Sequence, residues 1–206
     1  MVFRPTVLWD DQDVILIDTG YPGHLDDVRN SLAKLPTGKL TKIIITHHDY
    51  DHLGSLHEII NGFDHKIEVY AHALTLPYIQ GEQPLIKTGI TVPKTVVNQT
   101  ISDGQILPYC GGISVIFTPG HTPDHISLYH HSTKTLITGD ALTCYEGQLK
   151  YPNEKFTLNM EEAVGSLRKF LDYDIDQAIC FHGGVSREKV KERLSTLAAG
   201  DYSLEK

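Results

Sequence analysis

The chain has 206 residues, 40% of them hydrophobic, and a formal net charge of −8. This length can bury one substantial core but not several, so we expect a single domain over residues 1–206. The acidic balance argues against a nucleic-acid-binding face. No apolar run approaches the roughly 20 residues that span a bilayer. We therefore expect a cytoplasmic protein with neither nucleic acid nor membrane as a partner; a homodimer is compatible with these features.

The first half of the chain alternates strand-like and helix-like segments. Short β-branched runs predict strands, and apolar residues at helical spacing predict helices. In chain order the predicted elements are the strands Val7–Trp9 and Val14–Ile17, the helix Leu25–Leu35, the strand Lys42–Thr46, the helix Leu53–Ile60 and the strand Ile67–Ala71. Residues 80–95 have no clear period and form a long connection of the kind that is often functional.

The second half contains mostly short strands. The predicted elements are the strands Ile106–Leu107, Ile113–Phe117, Ile126–Tyr129, Thr135–Thr138 and Ala178–Phe181, with helices at Glu161–Leu171 and Val190–Ala198. Two strand-rich halves that are each followed by helices predict an α+β fold in which sheets pack face to face and helices lie outside.

Four predicted strand ends each carry side chains that bind metals. The first is the run after Lys42–Thr46, in which His47, Asp49 and Asp51 alternate. Alternate side chains of an extended segment point the same way, so these three can converge. A helix that begins near His52 can turn that ring toward them.

The other three strand ends contribute one residue each, namely His121, Asp140 and His182. A glycine beside each of them permits close approach of the backbone. A lone histidine after a strand is more often a hydrogen-bonding residue, a lone aspartate is as often a turn residue, and a polar run can cap a helix. All four segments together predict a metal site, because clusters of imidazole and carboxylate mainly serve metals.

The segments around these residues resemble those of the metallo-β-lactamase fold hydrolases. They read LIDTG, THHDYDHLGS, TPGHTPDH, LITGDAL and CFHGG, in that order, and the resemblance spans roughly residues 14–183. The resemblance implies a four-layer αββα sandwich, with two packed mixed sheets and helices on the outer faces. It also implies two divalent metal ions, with zinc as the first expectation and manganese or iron as alternatives.

The same resemblance assigns the ligands. One cation would be held by His47, Asp49 and His121, the other by Asp51, His52 and His182, and Asp140 would bridge them. Asp18 in LIDTG would orient a ligand. Asp51 is also the candidate catalytic residue, because a carboxylate beside the reacting water can carry its proton.

One ligand position departs from the family pattern. Asp49 stands where the family usually has a second histidine. Three aspartates and a hydroxide would balance two divalent cations, whereas the histidine version would keep one positive charge. We therefore expect this site to favour harder cations, such as manganese or iron, more than the histidine version does.

Several activities agree with such a centre. The main expectation is a hydrolase that directs metal-activated water at an ester, lactone or thioester of a small metabolite. A phosphodiesterase is an alternative within the superfamily. A mononuclear iron sulfur dioxygenase that uses His47, Asp49 and His121 is an alternative from another class, and a metal-stabilised binding module is a third.

Two neighbouring residues are less easily assigned. His125 ends the TPGHTPDH segment and is expected to brace this loop by a hydrogen bond. Cys144 lies four residues after Asp140 and could face the pocket, although a plain buried cysteine is the more usual case. The three cysteines are few and widely spaced, so no disulfide framework is predicted.

Overall fold

The structure is a computed structural model that describes residues 3–200. It comprises two compact units, each with its own sheet and its own hydrophobic core. The N-terminal unit is Pro5–Ile101. The C-terminal unit is formed by residues 102–200 together with Phe3 and Arg4.

The N-terminal unit has a five-stranded sheet whose strands follow one another in chain order. They are β1 (Thr6–Trp9), β2 (Val14–Ile17), β3 (Lys42–Ile45), β4 (Glu68–His72) and β5 (Gln99–Ile101). Strands β1 and β2 are antiparallel, and β2 to β5 are parallel. The helices of this unit are α1 (Leu25–Leu32), α2 (Tyr50–Leu53), α3 (Leu56–Gly62) and α4 (Leu76–Ile79), with a 3-10 turn at Ala73–Thr75.

Three of the four residues of the central strand β3 are isoleucines. Its residues Ile43, Ile44 and Ile45 are almost completely buried, which is the pattern of a parallel strand covered on both faces. The long connection before β5 is also anchored, since Leu85 and Val92 are part of the core of this unit. The connection is therefore fixed at two points.

The C-terminal unit has a six-stranded sheet and a separate hairpin. Its strands are β6 (Ile106–Leu107), β7 (Ile113–Phe117), β8 (Ile126–His130), β9 (Thr135–Ile137), β10 (Thr143–Tyr145), β11 (Gln148–Lys150), β12 (Gln177–Cys180) and β13 (Gly184–Ser186). The sheet order is β13-β12-β9-β8-β7-β6, and β10 pairs with β11. The helices are α5 (Met160–Ser166) and α6 (Val190–Ala198), with 3-10 turns at Glu154–Phe156 and Leu167–Asp172.

Strand direction brings three strand ends to one edge of this sheet. Strand β8 is antiparallel to both β7 and β9, and β12 is parallel to β9. The carboxyl ends of β7, β9 and β12 therefore point the same way. The loops that follow them carry His121, Asp140 and His182.

The α+β class predicted from the sequence is confirmed, and most long elements are where the pattern placed them. The short strands β5, β10, β11 and β13 were not predicted, because strands of three residues carry little periodicity. The helix predicted to begin near His52 begins at Tyr50. Among residues 3–200, no helix is long and apolar enough to cross a membrane.

The core of the C-terminal unit provides a stability test with an adjacent control. Phe170 is 1% exposed within this core, whereas Leu171 is 49% exposed. We expect Phe170→Ala to lower the free energy of unfolding by about 3–5 kcal/mol, because it removes buried surface and leaves a cavity. Leu171→Ala should change it by less than about 1 kcal/mol. Urea denaturation of both variants checks this, and equal effects would contradict the assigned core.

Candidate metal centre

The candidate ligands of the N-terminal unit follow two neighbouring parallel strands. Asp18 comes directly after β2, and the run that begins at His47 follows β3. Asp49 is extended and caps α2, while Asp51 and His52 lie within that helical turn. The expected simple alternation of His47, Asp49 and Asp51 is therefore wrong, because the helix begins before Asp51.

Asp18 is the hydrogen-bonding centre of this unit's site. It is 1% exposed and has a left-handed backbone, with φ of 61°. Its carboxylate accepts hydrogen bonds at 2.8 Å from the backbone N–H of Thr46, the hydroxyl of Thr46 and Nδ1 of His52. These three donors satisfy the buried carboxylate and so compensate for its burial.

The same bonds determine which nitrogen of each ring carries the proton. The Thr46 hydroxyl donates its one hydrogen to Asp18, so it must accept from Nδ1 of His47, which lies 3.0 Å away. Nδ1 of His52 donates to Asp18 itself. Both rings thus carry the proton on Nδ1 and can offer the lone pair of Nε2 to a metal ion.

These nitrogens lie beside carboxylates. Nε2 of His47 is 3.3 Å from Oδ2 of Asp49. Ligand atoms of Asp51 and His52 lie within 4.8 Å of one another. Both rings are completely buried, and Asp51 is half-buried. The structure thus brings all four of the candidate residues of this unit into two neighbouring His–Asp pairs.

Asp49 also contacts a lysine that the sequence reading did not single out. Nζ of Lys87 lies 2.5 Å from Oδ2 of Asp49. Lys87 belongs to the long connection before β5. This connection was expected to be of a kind that is often functional, but no role was assigned to any of its residues. No local pattern could have identified it, because the two residues are 38 positions apart.

The C-terminal unit places one carboxylate between two imidazoles. Oδ2 of Asp140 is 3.3 Å from Nε2 of His121 and 3.2 Å from Nε2 of His182. Asp140 and His121 are buried, and His182 is half-buried. All three candidate ligands of this unit therefore meet, as the shared direction of β7, β9 and β12 requires.

His121 is oriented by a threonine. The hydroxyl of Thr157 donates to the carbonyl of Asn153 at 2.9 Å, so it accepts from Nδ1 of His121 at 3.1 Å. The backbone N–H of Leu158 also donates to the carbonyl of His121. This ring too carries its proton on Nδ1 and turns Nε2 toward Asp140.

His125 supports Asp140 and does not act as a ligand itself. Its Nε2 accepts a hydrogen bond from the backbone N–H of Asp140 at 2.9 Å. Its Nδ1 therefore carries the proton, which it donates to the hydroxyl of Thr118 at 2.8 Å. Both ring nitrogens are engaged, so His125 positions the aspartate backbone, close to the bracing role expected from the sequence.

The donor chemistry of both units fits divalent metal ions. Three rings, those of His47, His52 and His121, have Nδ1 secured by a hydrogen bond and Nε2 available, which is the usual arrangement of metal-binding histidines. Carboxylates stand beside them. Imidazole and carboxylate together suit zinc, manganese and iron.

The cysteines take no part in this chemistry. Cys144 is 5% exposed, and burial raises the pKa of its thiol. Burial also raises the pKa of Cys180, which is completely buried. Both are therefore unreactive core thiols at neutral pH.

The ring protonation can be measured directly. We expect long-range proton–nitrogen NMR of the metal-free protein to show a proton on Nδ1 of His47, His52, His121 and His125, because each Nδ1 faces an acceptor. Thr157→Val removes the acceptor of His121 alone and should change only that signal. A neutral His47 or His121 ring with a bare Nδ1 in the unaltered protein would contradict the assignment.

Comparisons with known proteins agree on one family. The family model described as the metallo-beta-lactamase superfamily matches residues 5–182. The chain is 32% identical over 165 residues to the probable metallo-hydrolase YybB of Bacillus subtilis, a match that covers 76% of this chain and 70% of that protein. It is also 32% identical over 178 residues to a hydroxyacylglutathione hydrolase of Idiomarina loihiensis, covering 82% of this chain and 59% of that enzyme.

A solved structure shares the fold. A metallo-beta-lactamase from Pontibacter korlensis superposes with a TM-score of 0.73 at 17% identity, covering 94% of this chain and 84% of that one. At this identity the likeness concerns the fold alone, and it confirms the fold class predicted from the sequence. The family model covers most of the chain, and the two relatives are named as a probable metallo-hydrolase and as a hydrolase. The chain belongs to the metallo-β-lactamase superfamily and is a metal-dependent hydrolase.

Proposed function

We propose that this hydrolase cleaves a thioester or related ester of a small metabolite and uses two divalent cations to do so. The observation that carries the proposal is that, in a chain of this family, each unit presents a largely buried set of histidines and aspartates, and hydrogen bonds orient the rings of His47, His52 and His121. Four such residues lie in one unit and three in the other. The proposal takes residues 1–206 as one metallo-β-lactamase-like domain that needs both sets.

The ligand assignment follows the family pattern. His47, Asp49 and His121 would hold one cation, Asp51, His52 and His182 would hold the other, and Asp140 would bridge them. Within the C-terminal unit, the position of one Asp140 oxygen between two imidazoles supports the bridging role. Zinc is the first metal to test, followed by manganese and iron.

The chemistry divides between the cations and this chain's own groups. Bound cations would lower the pKa of water and polarise the substrate carbonyl. Asp51 is half-buried and is the carboxylate that we assign to proton transfer. It accepts the proton of the attacking water as the new C–O bond forms, and it returns that proton to the leaving sulfur or oxygen as the old bond breaks.

The choice of a thioester comes from a relative. The hydroxyacylglutathione hydrolase of Idiomarina loihiensis is named for an acyl thioester. The chain spans only 59% of that enzyme, so we carry over the type of bond and not the recognition of glutathione. Lactones and oxygen esters are also to be tested as substrates, because their hydrolysis takes place at the same kind of carbonyl carbon.

A reducing compartment such as the cytoplasm is part of the proposal. The three cysteines are all buried and form no disulfide within residues 3–200. Proteins of oxidising compartments commonly pair such residues. This supports the localisation expected from the sequence.

Metal content and hydrolysis together test the function. We expect about two divalent cations per purified chain, with loss of thioester hydrolysis on chelation and recovery with zinc, manganese or iron. Asp140→Asn should lower kcat/KM by about a hundredfold or more, because a neutral amide holds cations poorly. The exposed Asp172→Asn is the matched control and should leave kcat/KM unchanged.

Two results would overturn the proposal. One is metal-loaded protein that hydrolyses no thioester, ester or lactone. The other is a single iron per chain with oxygen uptake on a sulfur substrate, which would favour the mononuclear dioxygenase built on His47, Asp49 and His121. Cleavage of phosphodiesters alone would keep the centre and replace the substrate class.

A further inference from the structure

The long connection before β5 contains a closed turn that presents a lysine. The N–H of Leu85 donates to the carbonyl of Ile90 at 2.8 Å, and the N–H of Gly89 donates to the carbonyl of Leu85 at 2.8 Å. Leu85 itself is 1% exposed and anchors the turn in the core. Lys87 lies within this turn, so its backbone is held in place by local structure.

The lysine reaches the one ligand position that departs from the family pattern. Nζ of Lys87 lies 2.5 Å from Oδ2 of Asp49, and the two side chains are only 17% and 11% exposed. The same oxygen is 3.3 Å from Nε2 of His47. The ammonium therefore sits against the carboxylate oxygen that faces the neighbouring candidate ligand.

We propose that Lys87 is a charge-compensating residue of the metal centre, paired with Asp49 in place of the histidine usual in the family. The inference rests on the proposed function, because it takes Asp49 as a ligand. An ionised Asp49 and a protonated Lys87 together carry no net charge, as a neutral histidine carries none. A carboxylate can thus replace the imidazole without changing the charge of the centre.

This pairing changes the expectation drawn from Asp49 alone. Three aspartates and a hydroxide would neutralise two divalent cations, but the ammonium of Lys87 restores one positive charge. Net charge then gives no reason for a preference for harder cations, and only the oxygen donor itself does. The ammonium also repels a cation held by Asp49, so it limits how tightly that cation binds.

Substitutions of Asp49 and Lys87 separate the effect of the ammonium from that of the oxygen donor, with metal affinity as the measured quantity. Lys87→Met keeps the length of the side chain and removes its charge. We therefore expect zinc and manganese at the position of His47, Asp49 and His121 to bind at least about tenfold more tightly, even at an effective dielectric of about 20. Asp49→His alone leaves a buried ammonium beside the cations and should weaken binding at that site. Asp49→His combined with Lys87→Met should recover at least about tenfold of that loss.

Two control variants accompany these single and double substitutions. Lys87→Arg keeps the positive charge and should therefore not bind metal more tightly than the unaltered protein does. Lys94→Met removes an exposed lysine of the same connection and should change nothing. Calorimetric titration with zinc and manganese gives the dissociation constants, and thermal melting of each metal-free variant verifies that it is folded.

The outcomes distinguish the inference from the proposed function. Unchanged or weaker metal binding in Lys87→Met, or a double variant no better than Asp49→His, would overturn the role of Lys87. Because titration needs no substrate, that result would leave the hydrolase proposal intact. A protein that bound no second cation in any variant would instead overturn the dinuclear centre on which both depend.

Discussion

Three hydrogen bonds to the carboxylate of Asp18 organise the N-terminal half of the candidate centre. They come from the backbone and hydroxyl of Thr46 and from the ring of His52. The Thr46 hydroxyl in turn accepts a hydrogen bond from His47 and so orients that ring. Their geometry depends on the fold, because β2 and β3 are parallel neighbours and end at the same edge. A buried carboxylate is costly without donors, so Asp18 is stable there only because these partners are in place.

In the C-terminal half of the candidate centre, neutral groups and close backbone packing hold the candidate ligands in place. Thr157 orients His121, and His125 holds the backbone of Asp140. Gly120 has φ of 128°, and a Cβ there would lie 2.1 Å from the backbone nitrogen of Ala163 at the start of α5. Only glycine permits this approach, so the loop that carries the ligand can lie directly on the helix.

The sequence predicted these strand ends well because β-branched runs and the polar residues after them are local signals. It did less well where structure depends on distant contacts. The helix that begins at Tyr50 places Asp51 in a helical turn, which simple alternation did not anticipate. The contact between Lys87 and Asp49 joins positions 38 residues apart, and no motif records it. The orienting role of Thr157 is hidden for the same reason, since threonine is common in any loop.

The orienting groups also imply that the two cation positions differ in strength. On the proposed assignment, His52 donates to a carboxylate, whereas His47 and His121 donate to hydroxyls. A charged acceptor increases the basicity of an imidazole more than a neutral one does, so His52 is the stronger metal ligand. The position that contains His47 and His121 also has the ammonium of Lys87 against its carboxylate. Both differences act in the same direction, and on that assignment a cation at Asp49 would be the more weakly bound of the two.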